Sequence, residues 1–205
     1  MQGIQKEYER NNEPMTELYR NIEKYVFYSF RKAGRIHEVL HLIRTLHWLE
    51  KLKPDVDEAL RIAAISHDIE RAFRRKDVKE IIKKPGGLTS KIYFKKHEIR
   101  GAKIMAGCLE KHGAKNDFIN RVKMLISRHE QGGNDDQNLL KDADSIGFFE
   151  IYANSELTSK MIRHIGKKEA KRKIDFMYDR ITSNEAKRIT KKWYDKMIAD
   201  LETYE

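Results

Sequence analysis

Met15, Leu18, Tyr19, Ile22, Tyr25, Val26 and Phe30 recur at intervals of three and four residues, which aligns their side chains along one stripe of an α-helix. Pro14 stands just ahead of them, where a fixed φ and a missing N–H suit a first helical turn, so this helix is expected to open there. The same period predicts helices over 36–52, 98–111, 117–128, 138–152 and 183–201. Asp55, followed three residues later by Glu58, has the spacing of a capping box and predicts a further helix through Leu60, Ala63 and Ala64 toward Ser66. No segment alternates with a period of two. The three prolines and the glycine pairs Gly86-Gly87 and Gly132-Gly133 are the punctuation of long helices joined by short connections. The expected fold is all-α, one domain over 1–205, with a central part over about 36–150 and the helices of 151–205 packed on it. Residues 79–94 break the pattern: Pro85, Gly86 and Gly87 lie between two basic clusters, and a loop of that length predicts a lid or the mouth of a substrate channel.

Composition narrows the class without naming a chemistry. With 205 residues, 40% hydrophobic and 36% charged, the chain is long enough to bury a core and too apolar to be disordered throughout. Its apolar runs are far shorter than a membrane span and its first residues are polar, so a cytoplasmic protein without a membrane partner is expected. Cys108 has no second cysteine to pair with and is expected to fill the core. The net charge of +10 is segregated: residues 71–103 carry twelve Lys or Arg against three acids, and residues 160–196 thirteen against five. Such fields attract a polyanion, whether a small nucleotide or a nucleic acid.

Candidate chemistry sits where charge interrupts an apolar helix. His67 and Asp68 end the apolar run Ile62 to Ile65, and a charged pair entering a core needs a compensating partner such as a metal. His37, His41, Arg44 and Trp48, spaced by four, three and four, share a face of the preceding helix. If these two helices are antiparallel, His41 can meet His67 and Asp68. Asp142 and Asp144 begin an apolar stretch through Ile146, Phe148 and Phe149 and raise the same question.

In this order the residues resemble the HD-domain superfamily of metal-dependent phosphohydrolases. His41-Leu-Ile-Arg44-Thr45 is similar to its first helix motif, Ile65-Ser66-His67-Asp68-Ile69 to its signature, and Ala143-Asp144 to its final aspartate. The resemblance implies that His41, His67, Asp68 and Asp144 hold one divalent metal, Asp142 being a neighbour rather than a ligand. His97 and His129 match positions of extra ligands in the two-metal branch, where Asp68 would bridge two ions. Similarity to the small stand-alone HD hydrolases extends over most of the chain, more loosely at Arg180-Ile181-Thr182, Trp193 and Met197. Glu70 departs from the pattern, since the family often has Gly there; it is expected to be an exposed helix residue, with orienting a ligand or reaching substrate as the alternatives.

Imidazole and carboxylate ligands without thiolate suit one or two ions among Mn, Fe, Ni, Co, Zn and Mg. Such a centre activates water and holds a phosphate oxygen, which is the chemistry of phosphoester or phosphoanhydride hydrolysis. Arg71, Arg74 and Arg75 after the signature, and Lys91, Lys95 and Lys96 near His97, are candidate phosphate contacts, with Arg71 and Lys95 the preferred pair. Arg44 is expected to position ligands or touch phosphate, His37 to orient a ligand, and Tyr93 and Phe94 to offer rings for a base. The resemblance implies a small anionic substrate, a nucleotide foremost. Two other readings stand beside it: a diiron oxygenase of the same superfamily, and a nucleic-acid-binding or regulatory protein using the basic run from Lys167 to Lys192.

Overall fold

The computed structural model describes residues 15–74 and 78–204; Pro14 and Arg75 lie outside the described residues. They form one all-α domain, with no strand among them. Helices α1 (Glu17–Lys32), α2 (Ile36–Leu52) and α3 (Glu58–Ser66) are followed by the short α4 (Glu70–Phe73) and α5 (Val78–Ile82) and a 3-10 turn at Gly87–Thr89. Then come α6 (Lys91–Lys111), α7 (Asn116–Ile126), α8 (Asp135–Tyr152), α9 (Ser155–Ile165), α10 (Lys167–Asp179) and α11 (Asn184–Glu202). Among the described residues no helix is long and apolar enough to cross a membrane.

The centre of the fold is the pair α2 and α8. Leu42, Leu46 and Leu49 of α2 are fully buried with Leu140, Ala143 and Ile146 of α8 in one core, and each buried leucine or isoleucine contributes about 1.5–3 kcal/mol by leaving water. Gly147 permits the close approach: a Cβ there would stand 3.2 Å from both the backbone N and Oγ1 of Thr45. A larger residue at 147 would push the two helices apart. The first core takes in α1, α3, α6 and α7, while a second is built from Phe149, Ile162, Ile174, Met177 and Met197 on the far part of α8 and on α9–α11. Tyr178 and Trp193 pack against both, which joins the C-terminal helices to the rest.

Several element boundaries differ from the sequence expectation. α3 is capped by Asp57, whose carboxylate accepts from the Leu60 N–H at 2.8 Å; Asp55 is not the cap, and Glu58 instead accepts from the Thr16 hydroxyl. A capping box is found at α8, where Asn134 and Gln137 satisfy each other's backbone N–H groups. Residues 79–94 are not one long loop. α6 starts at Lys91, seven residues before the expected 98, because its first two turns mix Lys91, Lys95 and Lys96 with Ile92 and Phe94 and so blur the apolar period. The turn at Gly86 and Gly87 is pinned to α10, since the Leu88 N–H donates to Glu169 at 2.8 Å. α9 and α10, which were not expected as separate helices, meet at Gly166, whose φ of +84° is one that a residue with a Cβ rarely adopts.

Candidate metal centre

Five helices, or the turns that end them, deliver their polar residues to one buried point. His41 projects from the first half of α2; His67 and Asp68 sit in the turn where α3 ends; His97 lies in the second turn of α6; His129 follows the end of α7; Asp144 is in the middle of α8. Gly101 lets α6 lie against the His67–Asp68 turn, a Cβ at 101 standing 3.3 Å from the His67 carbonyl oxygen. His67 and His129 are fully buried, with Asp68 2% and His97 1% exposed.

Asp68 divides the cluster in two. Its Oδ2 faces His67 Nε2 at 3.6 Å and His41 Nε2 at 3.9 Å, while its Oδ1 faces His97 Nε2 at 2.9 Å and His129 Nε2 at 4.0 Å. In each triad, His41–His67–Asp68 and Asp68–His97–His129, the candidate donor atoms lie within 4.8 Å of one another. Asp144 joins the first triad, its Oδ1 standing 2.9 Å from His41 Nε2 and 3.6 Å from His67 Nε2.

The histidine tautomers fit a cation. His67 Nδ1 donates to the Ala64 carbonyl at 2.9 Å and His129 Nδ1 to the Ile126 carbonyl at 2.8 Å, which turns each Nε2 into the cluster. Both Nε2 atoms are buried and have no hydrogen-bond partner, a costly arrangement that a bound metal ion would relieve. His97 is oriented by Glu70, whose Oε2 accepts from its Nδ1 at 2.9 Å. Burial drives His129 down to about 4, so it stands neutral and ready to ligate. Burial alone would raise the Asp68 carboxyl, but Arg71, His67 and His97 outweigh it and hold the group well below the usual range. Asp144 is treated likewise, with burial outweighed by Arg180, His67 and His41. Burial would lower His97, but its hydrogen bonds to Asp68 and Glu70 outweigh that and raise it to about 9, so a metal there must displace its proton; with that, two ionised carboxylates and four histidines, without thiolate, form a donor set for one or two divalent ions.

Around the donors lies a frame of charged hydrogen bonds. Arg180, at the end of α10, donates to Asp144, to Glu130 and, at 2.8 Å, to the Ser145 hydroxyl. Glu98 accepts from the Glu130 N–H at 2.9 Å and from the Gln131 side chain at 3.1 Å, which fixes the turn that carries His129. A cavity of about 220 Å³ opens beside the donors, with His41, Asp144 and Glu130 on one wall, Arg71, Arg74 and Lys173 among its cations, and Phe148, Met161 and Met177 giving it an apolar side.

Residues 27–174 match the family described as a domain of unknown function, DUF4202. The chain belongs to the DUF4202 family. No curated protein and no solved structure matches it. The DUF4202 match takes in all six candidate ligands, and ends before Arg180.

Within this DUF4202 chain the predicted ligands His41, His67, Asp68, His97, His129 and Asp144 all meet, but the supporting residues are partly other than expected. Arg71 does reach the cluster, its Nε 3.0 Å from Asp68 Oδ1 and its Nη1 3.6 Å from Glu38. Arg44 is committed elsewhere: Glu150 accepts from its Nε at 2.6 Å, from its Nη2 at 2.7 Å and from the Trp48 indole at 2.7 Å, which locks α2 to α8. Lys95 is exposed on α6 and lines neither the cavity at the donors nor the larger groove on α6, because the helical phase that buries Phe94 and His97 turns it to solvent. His37 is exposed too. Glu70, expected at the surface, is 4% exposed and bonded to His97. Phe94 stacks on Phe176 at 4.8 Å and Tyr93 on His97 at 5.9 Å, so both rings already have partners. Asp142 accepts from the Thr182 and Ser183 N–H groups at 2.9 and 2.7 Å and holds the start of α11. Glu130 was not singled out in the sequence, and Lys173 and Arg180 were noted only within the C-terminal basic run and the loose C-terminal similarity, not as neighbours of the candidate ligands. Glu130 had one signal, its place beside His129 just after an apolar helix.

Proposed function

We propose that the protein is a metal-dependent phosphohydrolase of the HD-domain kind, cleaving a phosphoester or phosphoanhydride bond of a small anionic substrate, a nucleotide foremost. The observation that carries this reading is the Asp68 carboxylate, shared between two pairs of histidines, with the buried Nε2 atoms of His67 and His129 free of any hydrogen-bond partner. Divalent ions held by such a donor set supply Lewis acidity and an acidic bound water. His41, His67, Asp68 and Asp144 would hold one ion, and Asp68, His97 and His129 the other. The protein's own groups then receive the phosphate. Arg71 presents a planar fork from the metal side of the cavity and Lys173 a point charge from α10.

Lys173 is suited to that task. Its ammonium stands over the rings of Phe94, Phe148 and Phe176 at 5.9, 6.0 and 5.6 Å and has no hydrogen bond or ion pair among the described residues. Burial lowers its pKa against the pull of Glu130, and an incoming phosphate would add a second negative charge beside it. Phe148, Met161, Ile165 and Met177 form an apolar wall for the rest of the substrate. The cations at the cavity fit a substrate that carries a phosphate group.

The test is elemental analysis of the purified protein together with phosphate and pyrophosphate release from nucleoside mono-, di- and triphosphates in Mn, Co, Ni or Mg. Metal-dependent release that disappears in Asp68→Ala supports the reading. Two bound irons per chain with no hydrolysis would sink it in favour of the oxygenase.

A further inference from the structure

A second concavity, about 1000 Å³ in volume, runs along the outer face of α6 and is far larger than the cavity at the metal donors. Arg74, Lys84, Lys96, Arg100, Lys103 and Lys111 line it. Among the described residues that line it, the single acid, Glu70, is already engaged by His97. Lys84, Lys96, Lys103 and Lys111 are exposed and have no ion-pair partner among the described residues. Between these cations the floor is apolar and aromatic, formed by Tyr25, Phe73, Ile81, Ile92 and Ile104. Phe73 is 50% and Ile92 70% exposed, a cost that a covering ligand would remove.

The cations are arranged as a row. Lys96, Arg100, Lys103 and Lys111 follow one face of α6, and at 1.5 Å of rise per residue the fifteen steps from first to last extend over about 22 Å. A single phosphate needs one point of such a row, whereas a linear polyanion meets all of it. The apolar floor then asks that the polyanion carry flat apolar groups at intervals. We propose that this groove binds single-stranded nucleic acid, its phosphates along the α6 cations and its bases against the apolar floor. Arg74 and Tyr93, joined by a 2.6 Å hydrogen bond, line both this groove and the metal cavity, so a bound strand lies beside the mouth of the centre.

The contrast with the C-terminal basic run favours this location. There Lys171 pairs with Asp175 at 2.7 Å, Lys196 with Asp200 at 2.9 Å, and Lys160 with Glu156 at 2.7 Å, with Arg172–Glu169 and Lys191–Asp195 paired as well. Much of that positive charge is neutralised by acids of the same helices.

The proposal is independent of the hydrolase reading and is tested without metal. Fluorescence anisotropy of labelled dT12 in EDTA is measured against salt for the wild-type chain, for Lys96→Glu/Lys103→Glu, and for Lys168→Glu/Lys192→Glu, which changes the net charge equally on the C-terminal helices. The expected result is a loss of at least roughly tenfold in affinity for the α6 pair, with its log–log salt slope reduced by about 1.4 for two lost contacts, and a smaller loss for the C-terminal pair. Circular dichroism checks that both variants keep their helix content. Absence of dT12 binding, equal losses in the two variants, or inorganic polyphosphate binding as tightly as dT12 would each overturn the proposal. Failure of phosphate release in the metal-loaded protein would count against the hydrolase and leave this result unchanged.

Discussion

The two halves of the candidate centre are built from the same residue types and held in different ways. On the His41–His67 side, two carboxylates face two imidazoles, and Asp144 is gripped by Arg180 from the end of α10. On the His97–His129 side, among the described residues, the carboxylate within 3 Å of an imidazole Nε2 is that of Asp68 alone, and Glu130 stands off at 4.0 Å from His129 while it accepts from Arg180. A divalent ion binds more tightly where more negative charge is preorganised. The first half is therefore expected to bind its ion strongly and the second weakly.

The widest break in this comparison is Asp68→Ala, which removes the one candidate ligand common to both halves. Metal content by elemental analysis is expected to fall from up to two ions per chain toward none, and phosphate release to fall by more than the 10–100-fold, roughly, that outer partners of a ligand contribute. Circular dichroism should remain helical, because the α2–α8 core does not depend on Asp68. If one ion is retained at wild-type affinity, the shared-ligand geometry is wrong.

Next in size is Arg180→Met, which acts on the first half through stability. Arg180 is buried between Asp144 and Glu130, and burial, which lowers its pKa, is outweighed by those two carboxylates. Removing it takes the guanidinium from two buried acids and leaves Glu130 with Lys173 and Asp144 with the histidines, a change that costs up to about 3–5 kcal/mol. Urea unfolding of the metal-free protein should show that loss, and added divalent metal should recover part of it by neutralising Asp144. An unchanged unfolding midpoint would mean that Arg180 is not coupled to the acids in solution.

His129→Ala separates the halves more selectively. It deletes a candidate ligand whose other ring nitrogen is bonded to the Ile126 carbonyl. One ion per chain is expected to remain tightly bound in calorimetric titration while the weaker binding step disappears. Two steps of unaltered affinity would remove His129 from the ligand set.

The asymmetry also accounts for what could be seen in the sequence. His41, His67-Asp68 and Asp144 lie on or beside helices whose apolar period is clear, so the fold class and the first half were legible from spacing and resemblance together. His97 and Glu70 were harder to place, because basic residues blur the start of α6 and hid the turn that brings His97 over Glu70. Lys173 and Arg180 belong to α10 and its C-terminal end, a stretch without a clean apolar stripe in the sequence, and the two carboxylates that Arg180 holds lie 36 and 50 residues away along the chain. Long-range pairing of this kind leaves no local pattern. Arg44 shows the converse: its spacing on α2 is shared with His41, but Glu150, one turn beyond Ile146 on α8, claims its guanidinium.

The smallest effect expected is at Glu70, and it bears most directly on the second half. Glu70 accepts from His97 Nδ1 at 2.9 Å, and Arg100 stands 3.7 Å from its other oxygen. A carboxylate in that position fixes the ring and makes Nε2 a better donor, and loss of such a partner costs about 10–100-fold in metal affinity. Glu70→Gln keeps an oxygen that can accept from Nδ1 but removes the negative charge, so it should weaken the second binding step by less than Glu70→Ala. The first step should be unchanged in both, since Glu70 makes no contact with His41, His67 or Asp144 among its hydrogen bonds and ion pairs. Titration of both variants with Mn, read calorimetrically, resolves the order wild type, Gln, Ala. Equal loss in Gln and Ala would show that the charge, rather than the hydrogen bond, tunes His97; a loss confined to the first step would reverse the assignment of strong and weak halves.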